Sequence, residues 1–70
     1  MNYFYYVIDR NINGGHYAFA LRLPENYNLV DVLARYDPFV VHPCKTWTQA
    51  DEIAEAWNET FRANGTYAKN

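Results

Sequence analysis

The dipeptide Asn13-Gly14 stands between two runs rich in aromatic and β-branched residues, Tyr3 to Asn11 and His16 to Leu23. No other feature of the chain restricts its fold so tightly. Asn-Gly adopts the positive φ angles of a type I′ turn at low cost, and that turn matches the natural twist of two antiparallel strands. A β-hairpin is therefore predicted. With a two-residue loop the register pairs Ile8 with Phe19, Tyr6 with Leu21 and Phe4 with Leu23, all apolar. On the reverse side it sets Tyr5 against Arg22, Val7 against Ala20, Asp9 against Ala18 and Asn11 against His16. One more residue in the loop would oppose Asp9 to Phe19 and Tyr6 to Arg22, mixing the two faces, so the shorter loop is the consistent one.

Beyond the hairpin, Asn28 is a good N-cap residue, and Leu29, Val32, Leu33 and Tyr36 recur at helical spacing until Asp37-Pro38 stops the run. Phe39 to Cys44 reads as a third strand, with Pro43 restricting it to an edge of the sheet. Thr46 and Gln49 have capping-box spacing, and Ala50, Ile53, Ala54, Trp57 and Phe61 form one stripe that ends near Asn64-Gly65. Residues 66–70 read as a short tail in which Tyr67 packs back on the helix end. The predicted class is α+β, in the order strand, strand, helix, strand, helix. Because the first strand is apolar on both sides it takes the central position, giving a three-stranded antiparallel sheet of order 2-1-3. Both helices are expected on the Phe4, Tyr6, Ile8 face, leaving the other face open.

Seventy residues suffice for one small domain, spanning 1–70, and the longest apolar runs, Tyr3 to Ile8 and Tyr17 to Leu21, fall far short of the ~18 residues of a membrane span. A formal charge of −2 gives no support to a strongly basic nucleic-acid binder. Met1-Asn2-Tyr3 does not open on a basic segment leading into an apolar one, and Cys44 is a single cysteine. Both point to the reducing cytoplasm.

Candidate chemistry is sparse. His42 and Cys44 lie two apart on one strand, which separates their side chains by roughly 6–7 Å, too far for a base to activate a thiol. Cys44 reads instead as a structural residue filling a core gap. His16, His42 and Cys44 lack the paired spacings of a zinc site. Asp51, Glu52, Glu55 and Glu59 read as the solvated side of the second helix. Gly14-Gly15 is too short to cradle a phosphate. These absences predict a protein that is not an enzyme and has no cofactor and no metal.

Seven tyrosines, four phenylalanines and two tryptophans exceed what so small a core needs. The reverse sheet face would carry Tyr3, Tyr5, Val7, Ala18 and Ala20, with His16 and Arg22 at its margins. Tyrosine and arginine concentrate binding energy at protein interfaces, and alanines keep a surface flat. Tyr3, Tyr5, His16 and Arg22 are therefore the candidate binding residues. The expected function is a protein-interaction module with an accessory or inhibitory role, its partner another protein or a second copy in a homodimer. Nucleic-acid binding is the alternative: six basic residues scattered among eight acidic ones argue against duplex binding, whereas aromatic rings on a sheet suit single strands.

The aromatic first strand, the Asn-Gly turn, Tyr17-Ala18-Phe19-Ala20, the capped helix, Trp57-Asn58 and the closing Asn64-Gly65-Thr66-Tyr67 together resemble short uncharacterised proteins of gut bacteria, a family with no established function to carry over. More narrowly, a sheet followed by Thr46, Ala50, Ala54 and Trp57 on a terminal helix is similar to the arm-type DNA-binding domains of tyrosine integrases. That resemblance covers the last third of the chain and implies a DNA-contacting sheet face. In those domains that face is basic and polar, whereas here it presents Tyr3, Tyr5 and Arg22 with Asp9.

Overall fold

The computed structural model describes residues 2–68; Met1, and the Lys69 and Asn70 end of the expected tail, lie outside them. Strands β1 (Tyr3–Ile12) and β2 (Gly15–Pro24) form the hairpin, followed by helix α1 (Leu29–Tyr36), strand β3 (Pro38–Cys44) and helix α2 (Trp47–Ala63). The sheet order is β2-β1-β3, with β1 antiparallel to both neighbours. Asn13 and Gly14 take the expected positive φ angles, 53° and 85°, and Ile8 pairs with Phe19, Tyr6 with Leu21 and Phe4 with Leu23.

Local signals place the helix ends. The Asn28 side chain accepts from Val30 N at 3.0 Å, and Thr46 Oγ1 accepts from Gln49 N at 3.1 Å. Gln49 in turn accepts from Lys45 N at 2.8 Å, one residue before the cap itself. Gly65, at φ 72°, closes α2, and Thr66 N donates to Phe61 O.

The two helices do not share a face. α2 lies on the odd-numbered side of β1, where Val7 and Ala18 are buried against Ala50 and Ala54, with Tyr5, Ala20, Cys44, Ile53, Trp57 and Phe61 around them. α1 lies on the opposite side: the Tyr36 ring meets Phe19 edge-on at 5.1 Å and Arg10 at 5.3 Å, and Ile8, Leu23 and Val32 are buried there. The expected open face is thus the floor of α2. Its physical cause is size: Ala18 and Ala20 on the sheet oppose Ala50 and Ala54 on the helix, and small side chains on both surfaces let the backbones come close.

Two irregularities shape the far end of this layer. The β1/β3 register shifts between Asp9 and Arg10, which pair with Val40 and Pro38 and leave Phe39 as the extra residue. Such a bulge re-aims its side chain, and the Phe39 ring stacks on His16 at 4.2 Å. The tail then joins the sheet beside β2 in a parallel bridge, with His16 N donating to Thr66 O and Ala68 N to His16 O, both at 2.8 Å. Tyr67 packs against the helix end as expected, with the Arg62 guanidinium over its ring at 4.4 Å.

Candidate functional site

The four residues singled out in the sequence do not form one surface, because α2 runs between them. Tyr3 and Arg22 stay outside at one end, the guanidinium 4.7 Å above the ring. Tyr5 is half-buried against the α2 cluster. His16 sits at the far end of β2 and is tied into the fold.

The His16 side chain is held from three other elements. Its Nδ1 lies 2.8 and 3.1 Å from the two carboxylate oxygens of Asp9, a residue only 3% exposed. A carboxylate accepts, so Nδ1 donates. The ring is enclosed by Phe39 at 4.2 Å and Phe61 at 4.8 Å, which brings β1, β2, β3 and α2 together on one imidazole. Beside it, Asp9, Val40, Trp57, Thr60 and Phe61 line an open, largely apolar crevice of about 250 Å³. The sequence register already placed Asp9 and His16 on one side of the hairpin, one position apart on the diagonal. That diagonal was the available signal for the pair, whereas the bulge that brings in Phe39 left none.

His42 and Cys44 point to the α2 side without meeting. His42 leans toward the Trp57 ring at 5.9 Å, and Cys44 Sγ is 3.8 Å from the His42 carbonyl oxygen. Burial against α2 pushes the Cys44 thiol pKa up, the reverse of what a thiolate nucleophile needs. No group of three or more His, Cys, Asp or Glu side chains comes together among the described residues. No helix among them is long and apolar enough to cross a membrane.

Among the described residues the sheet is incompletely covered on one face and along both outer edges, that of β3 having no backbone partner besides β1. The face is the Ile8 side, because α1 has only 8 residues against strands of 10. Phe4 is 52% exposed and Val30 on α1 70%, while Tyr6, Leu21 and Val41 are half-buried. The other edge is that of β2. Its outward-facing backbone groups fall at every second residue. Those of His16 bond the tail, and those of Ala18 are held by one side chain: Asn58 Oδ1 accepts from Ala18 N and Asn58 Nδ2 donates to Ala18 O, each at 2.8 Å. By the same alternation Ala20 and Arg22 also face outward, and neither has a partner there among the described residues. A groove of about 420 Å³ lined by Ala20, Leu21, Arg22 and Trp47 opens at that point. Compared with protein-family models, curated proteins and solved structures, the chain matches none.

Proposed function

We propose that this chain is a non-enzymatic protein-interaction module with an accessory or inhibitory role, and that it docks its partner on the half-covered Ile8 side of the sheet. The observation that carries this reading is the mismatch between α1 and the strands beneath it: an eight-residue helix leaves Phe4 52% exposed beside Tyr6 and Leu21. Contiguous apolar surface of this kind on a small protein marks a contact site, because water leaving it favours association. The raised pKa of the Cys44 thiol argues against a thiolate nucleophile at that one position.

This docking surface replaces Tyr3 and Tyr5 by even-numbered β1 residues and leaves out His16 and Arg22, which the sequence also suggested. Phe4→Lys tests it, since Phe4 is exposed and its exchange leaves the core in place. The expected result is that a protein retained by the immobilised chain, or self-association seen by sedimentation, is lost in Phe4→Lys while circular dichroism is unchanged. Retention of partners by Phe4→Lys at wild-type strength overturns the reading. Binding of a single-stranded oligonucleotide that weakens steeply with salt would put a nucleic acid in place of the protein partner.

A further inference from the structure

We infer that one partner is a second copy of the chain, added edge to edge along β2 at Ala20–Arg22 to give a continuous six-stranded sheet. The inference rests on the protein-interaction reading and gives the partner and its register.

The stretch of free edge is short and bounded. At one end the backbone of His16 is taken by the tail and that of Ala18 by Asn58. At the other end stands Pro24, which has no N–H to donate. Among the described residues of this edge, Ala20 and Arg22 remain. An antiparallel partner strand satisfies both residues when Ala20 of each copy faces Arg22 of the other, with the two-fold axis at Leu21. Sliding the register by one rung either way sets Arg22 against Ala18, already bonded to Asn58, or Ala20 against Pro24. The free groups therefore select a single self-complementary alignment.

Side chains agree with that alignment. On the Ile8 side it sets Leu21 against Leu21 and Phe19 against Leu23 of the partner, apolar on apolar. The two half-covered apolar faces then run together. On the α2 side the partner's Arg22 arrives opposite Ala20, next to the groove along Ala18 and Ala20 that Asp51 and Glu55 line together with Arg62. Two carboxylates there outnumber the one guanidinium. Asn58 of α2 occupies the edge at Ala18 and ends the paired stretch there. α2 begins with Trp47 beside Ala20 and runs toward His16, which Phe61 reaches near its end. Around the two-fold axis the helices thus diverge, and only their Trp47 ends approach one another.

The test combines sedimentation equilibrium of the whole chain over a wide concentration range with two kinds of variant. Ala20→Pro removes an outward N–H and no bond to β1, and the expected result is a dimer on the order of tenfold weaker or more. In a Cys44→Ala background, Leu21→Cys should cross-link on mild oxidation, because non-hydrogen-bonded partners lie ~4.5 Å apart at Cα, within disulfide range. Arg22→Cys should not, being diagonal to its counterpart at roughly 7–8 Å. If Ala20→Pro perturbs the fold, the cross-linking pair decides. A chain that stays monomeric at all concentrations overturns the inference, as does a dimer that neither responds to Ala20→Pro nor cross-links through Leu21→Cys. A foreign protein still lost in Phe4→Lys would leave the interaction reading standing in either case. A dimer lost in Phe4→Lys but kept in Ala20→Pro would move the second copy from the edge to the face.

Discussion

At the scale of single residues, Gly15 shows how a close approach rather than a turn selects glycine. A Cβ there would lie 2.7 Å from Ala68 Cα and 3.2 Å from Ala68 N, so the backbone of the tail occupies the space a side chain needs. In an ordinary strand, alanine is favoured over glycine by about 0.5–1 kcal/mol; here the clash reverses the sign. Gly15→Ala is expected to displace residues 66–68 and to speed amide exchange at His16 and Ala68, while exchange at Val7 and Ile8 stays slow. Slow exchange at Ala68 in the variant would contradict it. Cys44 carries a second prediction. Its pKa is raised by burial, so the thiolate population near neutral pH is smaller folded than unfolded. Alkylation should be slower in the native chain than in urea. A raised thiol pKa also means that the folded state holds its proton longer: this contribution to stability is intact below the unfolded thiol value and is lost as pH rises through the folded one. Equal alkylation rates with and without urea would count against it.

Among the elements, β2 is an edge strand protected in an unusual way, by a helix side chain that imitates a strand. Asn58 meets both backbone groups of Ala18 at 2.8 Å, and Asn58→Ala leaves them unbonded beneath α2. The expected cost is about 1–3 kcal/mol, read as a lower urea midpoint, together with stronger self-association because the free edge lengthens by one rung. An unchanged midpoint would mean that water replaces the amide without loss. Strand pairing and helix starts were legible because each rests on a local signal: Asn13-Gly14 sets the hairpin register, and Asn28 and Thr46 cap where their side chains can reach. The face chosen by α2 was less so. Apolar alternation identifies a core side only when the other side is polar, and β1 carries Tyr5 and Val7 on one side, Tyr6 and Ile8 on the other. Ala18 and Ala20 opposite Ala50 and Ala54 held the answer, but small residues equally suit a flat docking surface, and hydrophobicity does not separate the two. Of the candidate binding residues, Tyr3 and Arg22 remain exposed together, whereas Tyr5 and His16 were absorbed by the packing of α2. The Phe39 bulge and the pairing of the tail depend on contacts between distant segments, for which no local pattern exists.

For the molecule as a whole, the consequence is a central sheet with a separate small core on each side. The body measures 39 × 24 × 16 Å, and the largest fully buried side chains among the described residues are Val7 and Ile8, neighbours in sequence that point to opposite faces. Val7 rests on Ala18, Ala50 and Ala54 under α2, while Ile8 is buried on the side of α1 with Leu23 and Val32. Truncating either should therefore be costly. Ile8→Ala is expected to lose about 2–5 kcal/mol, as large-to-small changes in cores do, and Val7→Ala roughly 1.5–3 kcal/mol for its lost burial. Val7 and Ile8 pack on opposite faces of the sheet, so the double variant should fall within about 0.5 kcal/mol of the sum, provided the single variants leave enough native state to measure. Urea unfolding of the four proteins checks all three values. A sheet with both helices on the Ile8 side would make Val7→Ala close to neutral, and one shared core would make the double variant depart from the sum. Near-additive losses from adjacent residues are the thermodynamic signature of two thin layers divided by one strand.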